Sequence, residues 1–261
     1  MTRGPLHHWL VLLDVEDLGS RPDAVRSELR AAMHRMALSA LTYAGLDPGQ
    51  CPTQDRGDSL LILIPGSVPP VQLLQTLVSS LDIDLRTHQQ MYNASHRMRL
   101  LVGISYGLVA VDDLRFRGRA IEDLAELVDA GPVREVLAQA SRSQLVLVVP
   151  DDLFGSVVVQ GRSPRIDPAA YAPRDFVTNR GRTVRGWVAL PGYSRPPERI
   201  LEETAQDTDE RRAPGSIGVS DNHGSSLVDR SPDGVHAPSG HTPPGPEHDP
   251  DDDWPRQTPE R

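Results

Sequence analysis

The 261-residue sequence contains one cysteine and no lysine. A lone Cys51 excludes an intrachain disulfide and fits a reducing compartment. Without lysine, every cation available to an active site is an arginine; the bias marks a GC-rich coding sequence rather than a particular chemistry. No apolar run approaches the roughly 18 residues that a membrane-spanning helix needs, and the opening segment lacks the layout of a secretory signal. A cytoplasmic protein without a membrane partner is therefore expected.

The formal net charge of −9 is unevenly placed. Residues 194–261 hold 15 Asp and Glu against seven Arg, leaving residues 1–193 close to neutral. Nucleic acid is not an expected partner. The same final stretch holds 11 of the 24 prolines and few large apolar residues. Such a segment cannot bury enough apolar surface to offset the entropy of ordering it. The expected organisation is one domain over 1–193 followed by a disordered, acidic, Pro-rich tail over 194–261.

Within the domain, Trp9 to Leu13 reads as a buried strand ending at Asp14. From Pro22-Asp23, apolar residues recur at three- and four-residue steps (Val25, Leu29, Met33, Met36, Ala40, Ala44), which predicts a helix that Gly45 stops. Cys51–Arg56 and Leu60–Ile64, joined at Gly57-Asp58, predict a hairpin. A second helix is expected over Val71–Met91, then a strand over Arg99–Val111 and helices over Gly118–Ala130 and Val133–Ala140. A strand at Gln144–Val149, a short helix at Asp151–Val158 and a hairpin of Phe176–Thr178 with Thr183–Leu190 close the domain. The order β-α-β-β-α-β predicts an α+β fold: a ferredoxin-like split β-α-β sheet with helices on one face.

Two carboxylates stand where such a fold makes them neighbours. Asp14 ends the first strand, and Asp58 sits in the turn of the hairpin beside it. With a backbone carbonyl such as that of Val15, they form an all-oxygen donor set suited to hard divalent cations. Metals held there can clamp the phosphates of a nucleoside triphosphate.

Five segments then resemble one family in order and spacing. Leu12-Leu13-Asp14-Val15-Glu16-Asp17-Leu18-Gly19 looks like the opening strand of class III adenylyl and guanylyl cyclases. Gln54-Asp55-Arg56-Gly57-Asp58 is similar to their Lys-x-x-Gly-Asp turn. Met98 to Gly107, with Arg99-Leu100-Leu101-Val102-Gly103-Ile104, resembles their Leu-Arg-Val-Gly-Ile-x-x-Gly strand. Arg117 to Leu127 falls where they carry Trp-Gly-x-x-Val-Asn-x-Ala-x-Arg-Leu, and Val184-Arg185-Gly186-Trp187-Val188 where their closing hairpin ends. The resemblance covers residues 9–192 and is to a cyclase-like domain of actinobacterial type.

It implies Mg²⁺ or Mn²⁺ at Asp14, Asp58 and the Val15 carbonyl, a nucleoside triphosphate as ligand, and a homodimer with Asp14 facing Glu126 of the partner subunit. It also implies degeneracy. The family's transition-state Asn falls on Glu122 and its phosphate-binding Arg on Glu126. The purine-reading Lys falls on Gln54, and the Asp sharing that task falls near Arg115. An acid where negative charge gathers reverses the sign of the stabilisation, and losing one positioned donor already costs roughly a hundred- to a thousandfold in rate. Arg56 and Arg119 are the cations that could compensate.

Ordinary explanations compete with each site. Asp14 could simply cap a turn, turns favour Gly57 and Asp58 in any case, and Glu122 with Glu126 could form a solvated helix face. The expectation is a pseudoenzyme: a degenerate cyclase-like domain that binds nucleotide and metal, or an unknown protein partner, with little or no cyclisation. The alternatives are an active nucleotidyl cyclase, and a non-catalytic scaffold recruiting through its acidic tail.

Overall fold

Trp9 to Leu13 is apolar at every position because the strand it forms is covered on both faces. Trp9, Val11 and Leu13 join one buried cluster and Leu10 and Leu12 another. A strand buried on both sides reads as a continuous apolar run rather than an alternating one. The computed structural model describes residues 4–112, 115–161, 163–178 and 181–197; the expected disordered tail lies outside them, apart from its first four residues.

The strands are β1 (Leu6–Val15), β2 (Thr53–Asp55), β3 (Ser59–Pro65), β4 (Leu100–Asp112), β5 (Arg115–Arg117), β6 (Leu145–Pro150), β7 (Tyr171–Val177) and β8 (Thr183–Ala189). The helices are α1 (Asp23–Tyr43), α2 (Val78–Met91), α3 (Arg119–Val128), α4 (Gly131–Gln139) and the single turn α5 (Asp151–Leu153). The sheet runs β2-β3-β1-β4-β6-β8-β7, with β5 paired to the far end of β4. Its β2-β3-β1-β4 part is antiparallel throughout, the arrangement expected of a split β-α-β core. β6 joins β4 in parallel, and the β7–β8 hairpin extends that edge. The fold is α+β, as the element order predicts.

Helices on one face describes only half of the packing. Leu29, Met33 and Leu41 of α1 and Leu81 and Leu85 of α2 cover the face that presents Trp9 and Val11. Leu124 and Leu127 of α3 and Val133 and Leu137 of α4 cover the opposite face, against Leu10, Leu12 and Leu101. Both faces of β1 are apolar, so both need a cover.

Three local details differ from the sequence reading. The helix expected from Val71 starts with a wide π-helical turn, Gln72–Leu77, before α2, and α5 runs into another over Phe154–Val159. β7 begins at Tyr171, five residues earlier than expected, despite Pro173. It is the edge strand of the sheet, where a missing N–H leaves no ladder bond unmade. The short β5, absent from the sequence reading, pairs Arg115 with Asp112.

Candidate functional site

Asp14 lies opposite Ser59 on β3 and Leu101 on β4, at the C-terminal end of β1. The next residue closes the gap to the hairpin turn: the Val15 N–H donates to the Asp58 carbonyl at 3.3 Å. The turn itself is firmly held. Gly57 takes φ +92°, which a side chain would resist, and the Arg56 N–H donates to the Ser59 carbonyl at 2.9 Å. The Asp55 carboxylate accepts the Gly57 N–H at 2.8 Å and, on its other side, both Arg30 and His34 of α1. Its pKa is lowered: desolvation opposes this, but the Gly57, Arg30 and His34 contacts together outweigh it.

An open cleft of about 470 Å³ results, lined by Asp14, Val15, Asp17, Arg56, Asp58, Asp129 and Arg134 among others. Asp58 reaches into it beside Gly19, where an added β-carbon would sit 3.5 Å from Asp58 Oδ2. Asp17 holds a left-handed backbone (φ 53°) on the same rim, a conformation uncommon for a residue with a side chain. The carbonyl of Asp17 accepts the Ser20 hydroxyl at 2.8 Å, which fixes that turn.

Asp14 is the least exposed carboxylate of the group, its side chain 13% accessible. Its pKa is pushed up to about 6 by burial; the Arg134 guanidinium opposes the rise, while Asp129 and Asp58 add to it. The lining sets four carboxylates, Asp14, Asp17, Asp58 and Asp129, against two guanidinium groups, Arg56 and Arg134. Glu16 does not join it. That carboxylate pairs with Arg99 at 3.4 Å, and the Glu16 N–H donates to the Arg99 carbonyl at 3.0 Å.

The structure thus brings Asp14, Val15, Arg56 and Asp58 together. It leaves the other expected residues elsewhere. Gln54 sits on β2 opposite Leu61, and Arg115 is exposed on β5. Glu122 is exposed on α3. Arg119 and Glu126 line a second cleft of about 490 Å³ between α3 and the β7–β8 hairpin, with Phe176, Arg182 and Arg185. Arg119 there pairs with Asp123 at 3.4 Å, and Arg185 with Asp175 at 2.7 Å.

Sequence reasoning missed Asp129 and Arg134. Arg134 Nη2 lies 2.7 Å from Asp129 Oδ1 and 3.3 Å from Asp14 Oδ2. The two residues flank the α3–α4 junction, 115 and 120 positions beyond Asp14 in the chain. The available signal was the break Ala130-Gly131-Pro132, which ends one helix and starts the next, bracketed by opposite charges.

No family model matches the sequence, and no curated protein matches it. Solved structures do match. The guanylyl cyclase Cya2 superposes with a TM-score of 0.52 at 14% identity, over 77% of this chain and 98% of that one. An adenylate/guanylate cyclase/hydrolase from Silicibacter pomeroyi gives 0.48 at 15% identity, over 72% and 99%. A bacterial light-regulated adenylyl cyclase gives 0.49 at 12% identity, over 78% and 58%. The match to Cya2 establishes the fold as that of a cyclase catalytic domain.

Proposed function

We propose that this chain is a cyclase-fold domain that binds a nucleoside triphosphate together with Mg²⁺ or Mn²⁺ and performs little or no cyclisation, acting in a regulatory role. The observation that carries this reading is the convergence of Asp14 and Asp58 on one cleft at the end of β1. The donors suit a hard divalent cation, because the Asp14 and Asp58 carboxylates line the cleft with Val15 and the lining contains no sulfur or imidazole. Its electrostatics fit as well. A carboxylate whose pKa burial raises to about 6 carries its charge at a cost near neutral pH, and a cation beside it would lower that cost.

A cation held by Asp14, Asp58 and the Val15 carbonyl supplies charge neutralisation to a triphosphate. Arg56, exposed on the same rim, adds a cation for the phosphates. Gln54, Arg115 and Arg119 are the proposed nucleotide-binding residues beyond the cleft. Glu126 places a carboxylate on the α3 face where a cyclising enzyme needs a cation. Repulsion between that carboxylate and a triphosphate is the reason cyclisation is weak.

A second reading, an active nucleotidyl cyclase, is favoured by Arg119 and Arg182 lining the same cleft as Glu126. Titration with Mn²⁺ and each of four nucleoside triphosphates, followed by calorimetry and product chromatography, separates the two. Binding without product is the expected result. Cyclic product at a substantial rate selects the second reading, and absence of both binding and product leaves only a scaffold for an unidentified protein partner.

A further inference from the structure

We propose that Arg134 is a resident counter-cation of the cleft, which a divalent cation displaces from Asp14 and which Asp129 then retains. The proposal rests on the reading of Asp14 and Asp58 as a cation site, and extends it to a residue outside the motifs that suggested that site.

The placement of the pair needs explaining in helix terms. Arg134 is the fourth residue of α4, where the helix N-terminus already presents partial positive charge. Asp129 is the C-terminal cap of α3, where the helix end is partially negative. Each charge is of the wrong sign for its own helix. What makes both tolerable is the other, at 2.7 Å, together with Asp14.

The two contacts of Arg134 are unequal and come from one nitrogen. Nη2 meets Asp129 at 2.7 Å, a good charge-assisted distance, and Asp14 at 3.3 Å, a long one. The shorter bond is to the more exposed carboxylate, 69% accessible, and the longer one to the buried carboxylate, 13% accessible. A guanidinium in that position can give up Asp14 without losing its anchor. The cleft lining carries Asp14, Asp17, Asp58 and Asp129 against Arg56 and Arg134. Its net formal charge of about −2 is that of one divalent cation's complement. A cation arriving between Asp14 and Asp58 would be repelled by Arg134 where it now stands, and relieved of that repulsion once Arg134 turns wholly to Asp129.

The consequence is a site whose cation affinity is held down by its own arginine. Calorimetric titration of the full chain with Mn²⁺ alone tests it, comparing wild type with Arg134→Gln, which keeps a donor for Asp129 but removes the charge. Arg134→Gln is expected to bind Mn²⁺ roughly three- to thirtyfold tighter, the range for removing one partly screened charge. Arg134→Lys, which restores the charge, should return the affinity to near the wild-type value. Binding by wild type with no gain in Arg134→Gln overturns the proposal while leaving the cation site intact. Failure of wild type to bind Mn²⁺ overturns both. Should Arg134→Gln not fold, the wild-type side chain reports directly. Its guanidinium NMR signal is expected to shift on Mg²⁺ addition while that of Arg174, hydrogen-bonded to the Pro197 carbonyl away from the cleft, stays still; an unmoved Arg134 signal overturns the displacement.

Discussion

Gly103 on β4 lies directly under Leu124 of α3: a β-carbon on Gly103 would approach Leu124 Cδ1 to 2.8 Å and Val128 Cγ2 more closely still. The helix rests on the backbone of the sheet, and Gly107, under Ala120, and Gly186, under Leu127, make the same allowance. Gly103→Ala is therefore expected to cost about 1–3 kcal/mol, the usual range for overpacking a well-filled core. Urea denaturation measures it. An unchanged midpoint would mean that α3 is free to ride up from β4.

A second prediction concerns Asp14. Its carboxyl titrates near 6 in the folded chain against an ordinary 3.8, chiefly through burial, with Arg134 opposing. Below about pH 4 both states are protonated and the residue is neutral to stability. Between about 4 and 6 the unfolded chain releases its proton while the folded chain keeps it, so stability falls as pH rises. Above about 6 the loss is constant, on the order of 3 kcal/mol. Asp14→Asn, measured in chelator, should remove that slope and raise stability at pH 7.5 by about 1–3 kcal/mol. A variant less stable than wild type at pH 7.5 would show that the Arg134 contact outweighs the burial.

The sequence made Asp14 and Asp58 legible because each belongs to a local signal: a run of apolar residues that ends, and a Gly-Asp turn between two strands. The antiparallel pairing of neighbouring elements then brings them together. Arg134 and Asp129 had no such signal, since their approach to Asp14 depends on α3 and α4 crossing the second face of the sheet. That second cover was itself hidden, because a run like Leu60 to Ile64 is apolar at every position and does not say how many helices it needs. Pro173 concealed the start of β7 for a similar reason: whether proline can sit in a strand depends on whether the strand is at an edge, which is a property of the whole sheet.

Glu126 and Glu122 supply a third prediction. Glu126 lines the cleft on α3 that also contains Arg119 and Arg182, and as a carboxylate it repels a triphosphate. The double substitution Glu122→Asn with Glu126→Arg is expected to raise the yield of cyclic nucleotide by roughly tenfold or more, in line with the worth of a restored transition-state donor. Product chromatography after incubation with Mn²⁺ and each triphosphate reads the effect. If the double variant binds triphosphate more tightly yet forms no more product, these two positions do not limit cyclisation.

The last prediction concerns assembly. Tyr106 and Leu108 project from one face of β4 where it pairs with the start of β1, 40% and 50% exposed. An apolar strand surface of this kind is suited to contact with a second copy of the chain. If the chain assembles as the cyclase resemblance implies, Asp14 faces Glu126 of the partner subunit across a shared groove. Carboxylates brought to about 4 Å repel by roughly 4 kcal/mol per pair at an effective dielectric of 20, so the metal-free dimer is opposed by its own site. Mg²⁺ is expected to strengthen association and chelator to weaken it, while Leu108→Asp should weaken it under both conditions. Analytical ultracentrifugation distinguishes the terms. A monomer with and without Mg²⁺ would remove the assembly altogether. A dimer indifferent to Mg²⁺ but broken by Leu108→Asp would keep the apolar contact and place the carboxylates of the two copies too far apart to repel.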